Sequence, residues 1–359
     1  MHIVSVSCYY RYMKYFCGHT EAFFYAYRNG REAYEAARVA NVTQLEDCLS
    51  HLNAVTMVDL AAADIRPPAA LEPGSLCNVG ADVGKHHVLV SGKANRHESD
   101  IVVRHRWNTP IPHGGLYLIG SGIYMSSPEF IYLQLAGMLS DVQLALVGCW
   151  MCSKYRIVPS SSDEQAATGK KDKLLSVKPL TTPERLETFL NAAKGSYGLM
   201  RARRVLKLVA AGSESPTETD MYALTCFPRS LGGQGAPKAT LNHLIEVKTE
   251  DAKIVDRQDR TSWRIDMCWP ELRKGVEYLG KDHETTASED RERMNALISK
   301  RYTILQYEYK HLVSVKGRAR RIEQIRRLLG MGTHNATPKE IRAAEVLEEE
   351  LFGAARFRL

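Results

Sequence analysis

Long apolar runs are missing from this sequence of 359 residues. No stretch reaches the 18 or more apolar residues that a membrane-spanning helix requires. The N-terminal MHIVSVSCYYRYMKYFC places tyrosines and charges where a secretory signal peptide needs a continuous apolar stretch. The sequence therefore predicts a cytoplasmic protein that has no membrane partner.

A disulfide framework and a complete zinc site are missing as well. The eight cysteines are irregularly spaced, and a chain of this length can bury a core without covalent cross-links. Cys149 and Cys152 form a single CxxC, but no second pair of ligands follows at the spacing typical of zinc sites. We interpret these two cysteines as apolar residues of a helix, with zinc binding as the less favoured alternative.

The sequence also lacks a repeat of fixed period, which argues against a solenoid or a propeller. Its composition, 44% hydrophobic and 25% charged, is that of an ordinary globular protein. The net charge of +7 comes mainly from residues 181–359. A polyanionic partner would be sought there, although a solvated basic surface explains the same excess.

The clearest boundary lies near the middle of the chain, where PSSSDEQAATGKKDK has no apolar periodicity. We predict a linker over residues 159–178 after a mixed α/β domain over residues 1–158. A helical connector over residues 179–214 and a C-terminal helical tail over residues 331–359 flank the remaining segment. In the first domain HHVLVSG and DIVVRHR are predicted strands, and a helix is predicted to begin at Pro128 with Ser127 as its N-cap.

Residues 215–330 contain the most informative order of elements. The pattern predicts a helix, three strands, a helix, a fourth strand and a closing helix. The first strands have hairpin spacing, whereas the fourth follows a crossover helix. The prediction is a mixed four-stranded sheet flanked by helices, in a chain of the α/β (α+β) class.

Two of these predicted strands, SWRIDMCW and KGVEYLG, each contain a carboxylate that a buried strand does not normally tolerate. Side chains alternate along a strand, so Arg264, Asp266 and Cys268 are expected on one face. The turn WPEL would then bring Asp266 and Glu277 side by side. Lys281 is expected on the same face of its strand as Glu277.

Two adjacent carboxylates repel each other unless a cation lies between them. Oxygen ligands suit Mg²⁺ or Mn²⁺, which can neutralise charge on a phosphodiester and position a water molecule. Asp266 and Glu277 are therefore the candidate metal ligands. The alternative is that both acids pair with nearby cations, namely Arg264, Lys274 or Lys281.

These residues and the order of elements resemble the PD-(D/E)XK nuclease superfamily, in the branch similar to very-short-patch-repair endonucleases. The branch pattern D, then E-x-D-G-x-x-H, then D-x-x-R-x-x-x-L is matched within residues 215–330 by Asp266, Glu277, Gly280, His283, Asp290, Arg293 and Leu297. Glu218 stands where the branch carries a glutamate on the preceding helix. Because Ser215 and Glu218 also form a capping box, Glu218 could cap this helix, serve the site, or do both.

The resemblance implies a restriction-endonuclease-like core that hydrolyses phosphodiester bonds in DNA, in phage defence or in DNA repair. Asp266 and Glu277 would hold the metal, and Lys281 or His283 would assist with charge or proton transfer. The third motif position, two residues after the glutamate, is Leu279. Either Lys281 replaces it, or the protein is a catalytically impaired member of the fold that binds DNA or a partner; homodimer formation stays open.

Two basic clusters are candidates for binding DNA phosphates without reading sequence. The first lies on the last predicted core helix and comprises Arg318, Arg320, Arg321, Arg326 and Arg327, with Lys316 beside them. The second is RARR, residues 201–204. A solvated helix face is an equally good explanation of either cluster.

In the first domain, HHVLVSG followed by SSPEFIYLQLA faintly resembles abortive-infection antitoxins of the AbiEi type. This resemblance implies a third hypothesis, an antitoxin-like transcriptional regulator in which the C-terminal domain is a scaffold. It assigns no functional residue.

Overall fold

The computed structural model describes residues 15–42, 85–91, 102–120, 122–162, 164, 172–246, 262–279, 295, 297–308 and 311–353. The chain divides into two compact units, one formed by residues 1–209 and 352–359 and the other by residues 210–351. Both contain helices and sheets, which confirms the predicted mixed α/β class. In the described ranges no helix has the length and apolar character needed to cross a membrane.

The main sheet of the first unit has six strands. They are β1 (Tyr15–Cys17), β2 (Arg38–Val39), β3 (His86–Val90), β4 (Val102–Arg106), β5 (Leu116–Gly120) and β6 (Ile123–Ser126). Their order across the sheet is β2-β5-β6-β1-β3-β4. β1 with β6 and β3 with β4 are parallel pairs, and the other pairs are antiparallel. The strands predicted from HHVLVSG and DIVVRHR are confirmed as β3 and β4.

In the described part of the first unit there are five helices. They are α1 (His19–Ala36), α2 (Pro128–Leu135), α3 (Asp141–Met151), α4 (Pro183–Ala192) and α5 (Leu199–Leu206). The predicted start of α2 is confirmed, since the Ser127 hydroxyl accepts the Phe130 N–H at 3.1 Å and Pro128 occupies the first helical position. Cys149 lies on α3 and Cys152 caps it; both are buried cysteine thiols.

The predicted linker over residues 159–178 contains regular structure. β7 (Tyr155–Pro159) and β8 (Asp172–Ser176) form an antiparallel two-stranded sheet. All five residues of β8 are exposed or partly exposed, and three of them are polar, which explains why its apolar pattern was too weak to predict a strand. The boundary between the two units instead follows Val209, so the predicted helical connector supplies α4 and α5 to the first unit.

The RARR segment is used within the first unit. Arg201 donates to the carbonyl groups of Ala136 and Leu139, just beyond α2. Arg203 donates to the Leu190 carbonyl. Arg204 Nη2 donates to both carboxylate oxygens of Asp141, at 2.7 and 3.0 Å. Carbonyl groups at helix ends need such donors, so these arginines bind the protein's own acceptors.

The second unit is built on a four-stranded sheet in the order β12-β11-β10-β9. Its strands are β9 (Thr240–Glu246), β10 (Ser262–Trp269), β11 (Lys274–Leu279) and β12 (Thr303–Glu308). β9, β10 and β11 are antiparallel neighbours, whereas β12 runs parallel to β11. Residues 297–299, in the connection between β11 and β12, are helical. The predicted mixed sheet with an early hairpin and a later crossover is confirmed.

The longer helices that the structure describes in this unit are α6 (Pro216–Cys226), α7 (Val315–Leu328) and α8 (Pro338–Phe352). The segment predicted as a separate tail, residues 331–359, supplies α8. All residues of α8 except the last, Phe352, belong to the second unit. Leu347 and Leu351 of α8 are buried.

The hairpin between β10 and β11 turns through a short 3-10 helix, Pro270–Leu272, and Arg273 closes it with a φ of 49°. On one face of the sheet Ile265 and Cys268 pack with Leu297. Gly275 faces the same side, and a Cβ there would lie 2.6 Å from Ile265 Cγ2. This close approach explains why a glycine stands in the middle of the hairpin.

Candidate functional site

The first acidic residue of the site lies in the first turn of α6. Ser215 caps this helix by accepting the Glu218 N–H at 3.3 Å. Glu218 is only 7% exposed. Its Oε1 accepts the Ser215 hydroxyl at 2.7 Å, and its Oε2 accepts the Glu214 N–H at 2.8 Å. Ser215 thus caps the helix as predicted, but the Glu218 carboxylate accepts the Glu214 N–H in place of the Ser215 N–H that a capping box uses.

Asn242 of β9 reaches the same carboxylate. Its Nδ2 donates to Glu218 Oε2 at 2.5 Å and to the Gly212 carbonyl at 2.9 Å. Asn242 has a φ of 50°, a left-handed conformation inside a strand. The sequence reasoning missed this residue. The available indication was an asparagine in the middle of a predicted strand, because asparagine is depleted in strands and tolerates the left-handed region.

Asp266 of β10 lies where the sheet is interrupted on both sides. Toward β9, the register pairs Ile265 with His243 and Met267 with Leu241 but forms no pair between Asp266 and Asn242. Toward β11, the pairing ends at Met267 and Val276. Asp266 Oδ2 instead accepts the Tyr278 N–H at 2.7 Å. A side-chain carboxylate thus takes the place of a backbone acceptor in the ladder.

Glu218 and Asp266 interact electrostatically. The pKa of Glu218 is raised to about 7, mainly by burial and further by the negative charge of Asp266, against the lowering effect of the hydrogen bonds from Glu214, Ser215 and Asn242. The pKa of Tyr278 is also raised well above its usual value, first by burial and then by Asp266. The acid pair of this site is therefore Glu218 with Asp266.

Glu277 departs from the predicted arrangement. It is buried, at 2% exposed, and Gln306 of β12 donates to its Oε2 at 3.3 Å. β11 keeps an unbroken parallel register with β12, so alternation places Glu277 on the face of Gly275 and Ile304. That is the face on which Leu297 packs.

The prediction that Asp266 and Glu277 share one face is therefore wrong, because it assumed unbroken alternation along β10. Arg264 and Asp266 do lie on the same face of β10, the face toward α6. Arg264 donates to Glu214 at 2.8 Å, and the charge of Asp266 raises the pKa of Glu218. Cys268 does not, since it packs with Ile265 on the opposite face. The alternation breaks between Asp266 and Cys268, at the interruption described above.

Several predicted residues lie outside the described part of the chain. These are Lys281 and His283, together with Gly280, Asp290 and Arg293 of the motif. Leu279 is the last residue of β11. Leu297, the final motif residue, is buried in the core.

The metal question depends on the donor set. Within the described ranges no three His, Cys, Asp or Glu side chains form a group that could hold an ion. Structural zinc needs four protein ligands and catalytic zinc three, so the site does not fit zinc. Mg²⁺ often uses one or two carboxylates, with water and substrate phosphate completing its shell. Glu218 and Asp266 fit that smaller requirement.

The five arginines predicted to bind DNA separate into internal and exposed groups. Arg318 is 4% exposed; it forms an ion pair with Glu348 at 2.6 Å and donates to the Leu312 and Val313 carbonyls. Arg318 is thus structural.

Two others also bind within the unit. The Arg321 guanidinium lies over the Tyr307 ring, 4.9 Å from its centroid. Arg326 donates to the Gly332 carbonyl. Arg320 and Arg327 remain exposed on α7, as does Lys316; we call these three residues the α7 basic face.

Comparison of the chain with protein-family models, with curated proteins and with solved structures gave no match. The functional argument therefore depends on the residues and geometry described above.

Proposed function

We propose that residues 210–351 form a nuclease-like domain that hydrolyses phosphodiester bonds in DNA with Mg²⁺ or Mn²⁺. The observation that carries this proposal is that Asp266 stands opposite Asn242 where the β9–β10 ladder is interrupted, and that the Asn242 amide binds the Glu218 carboxylate. Carboxylates at neighbouring positions with one raised pKa are typical of functional sites. The order of elements in this unit gives further support to the resemblance noted from the sequence.

The residues of the chain would divide the work as follows. Asp266, fixed by the Tyr278 N–H, and Glu218 would hold the ion. A bound Mg²⁺ would neutralise charge on the phosphate and lower the pKa of a water molecule. Glu218, with a pKa of about 7, is able to take up or release a proton near neutral pH when no ion is bound. The α7 basic face would attract the DNA backbone. Phage defence and DNA repair are the settings we propose.

A second candidate function is DNA binding without hydrolysis. Two observations favour it: Glu277 lies on the face opposite the acid pair, and Leu279 occupies the position where the resembled family carries Asp or Lys. On this alternative the acid pair is retained, but no third group completes the catalytic set. The two candidates predict the same partner and differ only in turnover.

The test is cleavage of plasmid and linear DNA in Mg²⁺ or Mn²⁺ by the full chain. We expect Asp266→Asn and Glu218→Gln each to lower the rate at least a hundredfold, as loss of one key electrostatic group often does (about 10²–10³). Glu214→Gln is the matched control, since this acid pairs with Arg264 outside the acid pair. Glu277→Gln tests the alternative pair of Asp266 with Glu277. We expect it to lower the cleavage rate less than Asp266→Asn or Glu218→Gln does.

Equal inactivity of the wild type and both site variants would reject hydrolysis. If the same proteins still shifted DNA in a gel, the second candidate would replace the first. Failure to bind any nucleic acid would reject both and leave the antitoxin-like scaffold hypothesis.

A further inference from the structure

We propose that Asn242 is a positioning residue that fixes the Glu218 carboxylate and keeps the sheet open beside Asp266. The inference rests on the proposed function, because it assigns a task within the same site. It concerns a residue that does not itself supply a charge.

The backbone of Asn242 is the first observation. Its φ of 50° is left-handed, a conformation that L-residues avoid within strands and that asparagine tolerates better than most. The strand continues on both sides, with Leu241 paired to Met267 and His243 paired to Ile265. The strained residue therefore stands opposite Asp266, at the single missing pair within the stretch from Thr240 to Glu246. Strain of this kind persists only where the surroundings impose it, and it is concentrated at functional sites.

The side chain of Asn242 is the second observation. An asparagine amide has two N–H donors, and both are used: one on Gly212 O at 2.9 Å and one on Glu218 Oε2 at 2.5 Å. Gly212 lies just before α6 and has a φ of 85°. A single amide thus ties β9 both to the segment that leads into α6 and to the carboxylate that α6 presents.

The chemistry explains why the residue is asparagine. Aspartate would place a carboxylate against Glu218 and remove the donor. Alanine would lose the donor and tolerate the left-handed backbone poorly. Glycine would keep the backbone but leave Glu218 with two of its three donors, those from Ser215 and Glu214. Only asparagine supplies both the conformation and the two donors.

The variant Asn242→Gly isolates the side chain, since glycine adopts positive φ freely. We would measure Mn²⁺ affinity of the full chain by electron paramagnetic resonance. A hydrogen bond to a charged acceptor stabilises by an amount that corresponds to about tenfold to a hundredfold in affinity, so we expect Mn²⁺ binding to weaken by that factor. In a Glu218→Gln background, Asn242→Gly should cause no further loss. Asn242→Ala should additionally lower the melting temperature.

A second measurement does not depend on any ion. The Glu214 N–H donates to the carboxylate that Asn242 holds, so its hydrogen exchange should become faster in Asn242→Gly, by about tenfold. Faster exchange in a protein whose wild type binds no Mn²⁺ would support the positioning role and reject the proposed function. Unchanged exchange at Glu214 would overturn the positioning role, whether or not Mn²⁺ affinity falls.

Discussion

Asp266 Oδ2 accepts the backbone N–H of Tyr278 at 2.7 Å, across the gap where the β10–β11 ladder ends. The aspartate is therefore bound to the residue next to Glu277 rather than placed beside the Glu277 side chain. This bond fixes the Asp266 carboxylate, whose negative charge raises the pKa of Glu218 on α6. The acid pair thus joins a helix and a strand instead of two strands.

Glu218 should make stability depend on pH. Its pKa rises from the ordinary 4.5 to about 7 in the folded protein, mainly through burial. The folded protein therefore binds this proton more tightly than the unfolded chain does. Its contribution to the free energy of unfolding is greatest below pH 4.5 and should fall by about 3 kcal/mol as the pH rises to 7.

Urea denaturation at pH 4.5 and pH 8 would check this prediction. Glu218→Gln carries no titrating group, so it should lose about 3 kcal/mol less over the same interval. Asp266→Asn should show an intermediate fall, because the burial effect remains and the repulsion is removed. The same loss in the wild type and in Glu218→Gln would contradict the prediction.

Arg318 and Arg327 provide a second test, because the sequence suggested the same role for both. Arg318→Ala leaves Glu348 without its 2.6 Å partner and the Leu312 and Val313 carbonyls without a donor. We expect a loss of about 3 kcal/mol in the free energy of unfolding. Arg327 has a side chain that is 77% exposed, and it pairs with Glu323 on its own helix. Its replacement by alanine should cost about 0.5 kcal/mol or less.

Chemical denaturation of the two variants would compare these values directly. Similar losses for both would mean that the Arg318–Glu348 pair contributes no more than a surface pair. Neither outcome depends on DNA.

DNA binding should depend on the α7 basic face. Each phosphate contact contributes a slope of about −0.9 to the plot of log K against log salt concentration, so replacing Lys316, Arg320 and Arg327 by alanine should reduce the slope by about 2 to 3. The measurement is fluorescence anisotropy with a labelled duplex at several salt concentrations. The exposed residues Arg38, Lys194 and Lys207 of the first unit are a charge-matched control. An equal change of slope in the control would contradict the prediction that DNA binds to the α7 basic face.

The element order of the second unit could be predicted from sequence because periodicity and hairpin spacing are local properties. Helix starts were equally accessible, since Ser127 and Ser215 are each followed by proline, and each accepts the N–H of the third residue after it. β8 was not predicted because its polar and exposed residues give no clear apolar alternation, although the strand pairs with β7. A weakly amphipathic strand gains its structure from a neighbour that the local sequence does not reveal.

The candidate site was predictable only in part. Asp266 and Glu218 were identified as individual residues, but the alternation rule paired Asp266 with Glu277. The rule failed because Asn242 and the Asp266 side chain interrupt the two ladders. Likewise, the charge of Arg318 was visible in the sequence, whereas its partner Glu348, 30 residues away, was not. Long-range polar contacts of this kind follow from the completed fold.

Gly275 should tolerate no side chain. A Cβ at this position would lie 2.6 Å from Ile265 Cγ2 and 2.9 Å from Ile304 Cδ1. Both isoleucines belong to or pack against the core on the Leu297 face. Gly275→Ala should therefore overpack this core and lower the free energy of unfolding by about 1–3 kcal/mol. Ile304→Val removes Cδ1, so the double variant should lose less than the sum of the two single variants.

Gly332→Ala is the matched control, since nothing lies within 4 Å of a Cβ there. We expect it to change stability by no more than about 0.5 kcal/mol. Because Gly275 lies two residues before Glu277 on β11, overpacking would also move the strand that supplies the Tyr278 N–H to Asp266. Gly275→Ala should then weaken Mn²⁺ binding, and Ile304→Val should restore part of it. Full stability together with weakened Mn²⁺ binding would show that the Ile265 contact positions β11 without contributing to the core.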